Sequence, residues 1–130
     1  AMGGKEVVVL MEKRAGEAAT FEYRLLATNR TSTLQKELQE AADAGFVAVG
    51  QTVFESLFGG KETASILQRK SGVPRTERYD YKLVATSKTS TLQKELQQAA
   101  EQGYEAIGMT VGSTAFGGAE LVVITRKSLK

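Results

Sequence analysis

From Phe21 the chain alternates. Phe21, Tyr23, Leu25 and Ala27 fall on one side of an extended backbone and Glu22, Arg24, Leu26 and Thr28 on the other, which predicts a strand whose aromatic and aliphatic face is buried. The period then lengthens. Leu34, Leu38, Ala41 and Ala42 recur at helical spacing, with Gln35, Lys36, Gln39, Glu40 and Asp43 on the opposite, solvated face. Ser32 followed by Gln35 has the form of a capping box at the helix start, and Gly45 stands where a helix C-terminus favours positive φ. The segment FVAVGQTV after it predicts a second strand, with interior Gly50 marking a bulge or a close approach. A Phe58-Gly59-Gly60 corner then turns the chain into a third strand, KETASILQRK from Lys61.

The whole pattern recurs at a constant offset, Phe21 matching Tyr79. Tyr79, Tyr81, Leu83 and Ala85 repeat the alternation, and Thr31–Gln39 returns unchanged as Thr89–Gln97. Ser90 with Gln93, Gly103, Gly108 and Phe116-Gly117-Gly118 repeat the helix start, helix end, strand glycine and corner. A third version of the last strand, KEVVVLMEKR, opens the chain at Lys5, so Val7–Met11 is expected to form an extra strand. Its position suggests a piece of a longer array, or a strand completing the first unit. Ala1–Gly4 have the character of an expression remnant. The expected organisation is an N-terminal strand with a first repeat (5–70), a linker with the only proline (71–77) and a second repeat (78–130), packed as one domain.

The fold class is therefore α+β: two tandem βαββ pseudo-repeats plus an extra N-terminal strand, a mainly antiparallel twisted sheet with two amphipathic helices on one face. A crossover this short returns its third strand either beside its predecessor or between the two crossover strands, and the second arrangement is favoured. Seven strands with two helices leave the sheet face opposite the helices incompletely covered. Val7–Met11 and Leu121–Ile124 are apolar strands at the chain's ends, which invites edge pairing. Self-association, as a homodimer or by edge-to-edge pairing, is the expectation. Thr63 and Ser65 replace the Val or Leu of the other two copies, so the middle copy is expected to be less buried.

Composition narrows the chemistry. The 130 residues include no Cys and no His, which removes thiolate and imidazole metal sites, cysteine nucleophiles and histidine bases. The formal charge of +2 does not indicate a nucleic-acid partner, and no apolar run approaches a membrane span. The most pointed polar clusters are Arg30, Thr31 and Ser32, mirrored by Lys88, Thr89 and Ser90, where basic and hydroxyl groups meet a helix N-terminus suited to a small anion. Helix capping accounts for the same residues. The glycine corners lack the Lys-Ser or Lys-Thr of a phosphate loop and lead into a strand; of the two, the more apolar first loop is the better candidate for a partner. Glu37, Glu40, Glu95 and Glu101 lie on polar helix faces with no paired nucleophile. The tyrosines follow the strand pattern, and Arg24 and Lys82 are expected on the open sheet face, accompanied by Glu22 and Asp80.

An aromatic-x-Tyr-x-Leu start, the runs LQKELQEAADAGF and LQKELQQAAEQGY, and a last apolar strand ending in Arg or Lys resemble small bacterial domain-of-unknown-function proteins of the βαββ type. The likeness covers nearly the whole chain, twice over. Phe46 and Tyr104 stand where an aromatic residue, often Trp, is typical. The resemblance implies the fold and is silent about activity, so no enzyme is implied; no cofactor is expected. Two functions follow as expectations: a non-enzymatic interaction or assembly module, or a domain binding a small anion or ligand at each helix N-terminus.

Overall fold

In the computed structural model, which describes residues 6–16, 18–55, 61–72, 78–113 and 118–129, each repeat folds as its periodicity dictates. The first forms β1 (Phe21–Thr28), α1 (Thr31–Asp43), β2 (Val47–Glu55) and β3 (Lys61–Lys70). The second forms β4 (Tyr79–Thr86), α2 (Thr89–Glu101), β5 (Glu105–Ser113) and β6 (Ala119–Ser128). The fold is α+β with two tandem βαββ units, and the strands divide between two three-stranded antiparallel sheets, ordered β1-β3-β2 and β4-β6-β5. In each, the last strand lies between the two crossover strands. Leu121–Ile124 is consequently central and no edge.

Residues 6–14 carry no regular secondary structure, so the expected extra strand is not formed. The central place in each sheet is already taken by β3 or β6, and apolar composition alone supplies the segment with no backbone partner. Residues 1–5, the linker residues 73–77, Phe58-Gly59-Gly60, and Phe116-Gly117 of the second corner lie outside the described residues.

Both helices end on the expected glycines. Gly45 and Gly103 adopt φ of 94°, and Phe46 N–H reaches back to Ala41 O as Tyr104 N–H does to Ala99 O, each at 3.0 Å. The helix starts differ from expectation. Arg30 and Lys88 are the extended residues preceding each helix, and no side chain caps the first turn. Thr28 Oγ1 accepts from Arg30 N–H, and Thr86 Oγ1 from Lys88 N–H, which fixes the turn two residues ahead of the expected cap. Ser32 and Ser90 therefore sit within the helices.

The register places Tyr23 opposite Gln68 and Tyr81 opposite Arg126, so the two sheets are built alike. Each helix covers the side of its own sheet that carries Leu26 and Leu67 in the first unit, Val84 and Val123 in the second. The units then stack. The β4/β6 face carrying Tyr81, Val122 and Ile124 closes over α1 and the helix side of the first sheet, forming one core with Leu34, Leu38, Ala42 and Leu67. Ser65, fully buried, and Thr63 lie inside that core, contrary to the expectation that the middle copy is less covered. Ser65 Oγ donates to Gly50 O, which makes its burial tolerable.

The strand glycines fulfil both expected roles. The register slips between Ala48 and Gly50 and between Ala106 and Gly108, a bulge in each unit. At Gly108 a Cβ would meet Gln51 Oε1 at 2.6 Å, and Gln51 Nε2 is held by Thr110 Oγ1 at 2.8 Å and Val122 O at 3.3 Å. Gly108→Ala is expected to displace the amide and lower stability by about 1–3 kcal/mol, measured by urea unfolding, with Gly50→Ala giving a smaller loss.

Candidate functional site

The units pack by a one-sided contact. Helix α1 lies along the free edge of β4, and its two outward glutamines behave as an added strand. Gln35 Nε2 donates to Tyr81 O at 2.7 Å and Leu83 N–H donates to Gln35 Oε1 at 2.6 Å. Tyr81 N–H donates to Gln39 Oε1 at 3.1 Å, and Gln39 Nε2 reaches Tyr79 O at 3.5 Å. Four residues along a helix advance about 6.0 Å and two along a strand about 6.8 Å, so amides at i and i+4 meet successive outward peptide groups. Tyr81 is 2% exposed, and its hydroxyl accepts from Ala48 N–H at 2.9 Å. Gln35 and Gln39, expected on a solvated face, thus seal a sheet edge. Their spacing beside an apolar stripe was the available signal.

Among the described residues nothing reciprocates. On α2, Gln93 and Gln97 are exposed and their side chains make no hydrogen bond among the described residues. The β1 strand, counterpart of β4, presents Tyr23 at 48% and Leu25 at 65% exposure, with Val49 at 53% on the bulge of β2, across β3. The expected burial of Phe21, Tyr23, Leu25 and Ala27 is therefore reversed in the first unit, where Leu26 is the buried residue of β1. In the second unit the same face is covered, because the first unit lies on it. The open face of the first sheet, including Ile66, lines a groove of about 840 Å³ together with Val7–Met11. That segment leaves Val8 and Leu10 more than four-fifths exposed, so its hold on the groove is slight.

The residues chosen from sequence as an anion site are placed separately. Arg30 and Thr31 border a crevice against Glu120 and Val122 with free space of about 10 Å³, room for about one water. Ser32 faces away, beside Lys36 and Glu40 on the outer helix surface. Lys88, Thr89 and Ser90 are all exposed. The structure brings Arg30 and Thr31 of one repeat together, and neither Ser32 nor the second trio joins them.

Arg24 and Lys82 lie on the helix side of their sheets, not on the open face. Phe46 is held between the Arg24 and Arg69 guanidinium groups, 4.5 and 4.4 Å from its ring centre. Arg69 also forms paired 3.1 Å bonds to Glu22 and donates to Ala44 O at 2.7 Å, tying the end of α1 to β1. The second unit substitutes Tyr104 between Lys82 and Lys127. Tyr104 donates its phenolic proton to Asp80 at 2.5 Å.

That bond, then desolvation and the Asp80 charge, raise the Tyr104 pKa. The protonated phenol is favoured by folding, so its contribution is complete below the usual tyrosine value of about 10 and is lost as pH rises through the raised folded value. Asp80→Asn is expected to lower the Tyr104 midpoint in a tyrosinate absorbance titration.

Among the described residues no three acidic side chains converge as a metal site, and no helix is long and apolar enough to cross a membrane. No protein-family model, curated protein or solved structure matches the chain.

Proposed function

We propose that the chain is a non-enzymatic interaction and assembly module that works through the open face of its first sheet. The observation that carries this reading is the contrast between two equivalent faces: Tyr81 is buried, and its counterpart Tyr23, with Leu25 and Val49, is exposed in one apolar patch. Contiguous apolar surface of this kind favours association, since removing it from water contributes about 25 cal/mol per Å². The absence of Cys and His leaves the chain without the commonest nucleophile and general-base side chains.

Sedimentation equilibrium tests the reading. The wild-type mass is expected to rise with concentration, and Leu25→Lys, a change at an exposed position, is expected to hold the mass at one chain. A wild-type mass of one chain at every concentration contradicts it.

A further inference from the structure

Resting on that assembly reading, we infer that the partner is a second copy of this chain, docked head to tail: α2 and the outer face of β5 of one copy on the β1 edge and open face of the next. The contact between the repeats is the template. Unit one contributes the helix and unit two the strand edge, so the interface is heterologous, and each copy retains one unused half of either kind. The unused halves have the same chemistry as the used ones. Gln93 and Gln97 stand where Gln35 and Gln39 stand, in an unchanged nine-residue segment. The shared register turns the Tyr23 and Leu25 peptide groups outward as those of Tyr81 and Leu83 are turned. Docking would therefore pair Gln93 with Tyr23 O and Leu25 N–H, and Gln97 with Tyr23 N–H.

A second observation points to the same occupant. Gly108 leaves room for Gln51, but a Cβ at Gly50 would make only ordinary 3.9 Å contacts with Ile66, and Gly50 does not adopt positive φ. Among the described residues, neither a close contact nor a positive φ requires glycine there. In the head-to-tail contact, the residue meeting Gly50 is Met109, the counterpart of Gln51. Met109 is 62% exposed, and its side chain is close to glutamine in length and lacks the polar amide. The polar plug of the internal contact becomes an apolar plug at the open face. The N-terminal segment is displaced from the groove when the second copy enters.

Mixing of blocked variants tests the inference. Leu25→Lys removes the receiving face and Met109→Lys the inserting face, both at exposed positions. Retention of the wild-type circular dichroism melt in dilute solution confirms that each variant folds. Each variant alone is expected to remain a single chain, with association weakened at least about tenfold by the buried unpaired charge. Their equimolar mixture is expected to form a heterodimer that grows no further, and the wild type to exceed two chains. If Met109→Lys alone still dimerises, the head-to-tail contact is overturned and the assembly reading stands. If the wild type never associates, both fall. As a second probe, Gln93→Glu with Gln97→Glu is expected to behave as Met109→Lys does, and wild-type association from that variant counts against the edge pairing.

Discussion

Leu38→Ala is expected to lower the unfolding free energy by about 2–5 kcal/mol, and Leu96→Ala by about 1 kcal/mol. The two leucines occupy the same place in an identical nine-residue sequence, so helix propensity and immediate neighbours cancel in the comparison. What differs is the second layer. Leu38 is fully buried because the second unit's Tyr81, Val122 and Ile124 share its core, and Leu96 is half-buried beneath a helix with no such cover. Truncating Leu38 leaves a cavity between two sheets that cannot both move inward. Urea unfolding in dilute solution, with unchanged dependence on denaturant, measures the difference. Equal losses would show that the repeats are independent bodies.

The glutamine pair gives the second large effect. Gln35→Ala with Gln39→Ala removes partners from four backbone groups of the β4 edge, at a cost of about 2–4 kcal/mol, because partly buried backbone groups then lack hydrogen bonds. The matching change, Gln93→Ala with Gln97→Ala, is expected to fall within about 0.5 kcal/mol of wild type, as those side chains are solvated and alanine is the better helix former. Thermal melts at a concentration where the chain is monomeric separate the two. A comparable loss for both pairs would mean that the amides act within their own helices and do not seal an edge.

The elements were legible in the sequence because each depends on local periodicity. Alternation from Phe21 and Tyr79, helical spacing from Leu34 and Leu92, and glycines at the helix ends locate strands, helices and turns in both repeats. The central position of β3 and β6 followed from the short crossover. Burial was legible only in part. The Phe21–Ala27 and Tyr79–Ala85 faces are nearly the same in sequence, so no local rule distinguishes the covered one from the open one; order along the chain does. Thr63 and Ser65 are polar yet buried, because the face of this central strand that meets the second unit buries whatever it carries. The sealing role of Gln35 and Gln39 is not legible locally, because their backbone partners lie some forty residues away, in the other repeat. The open sheet face follows the same division: an uncovered face is expected from the count of strands and helices, but its location on the first unit requires the stacking of the second.

Hydrogen exchange of individual backbone amides in the monomer tests the one-sided contact most directly. Tyr81 and Leu83 amides, bonded to Gln39 and Gln35, are expected to exchange slowly, and the Tyr23 and Leu25 amides at the equivalent edge to exchange rapidly. Equal exchange at the two edges, whether slow or fast, would contradict the account.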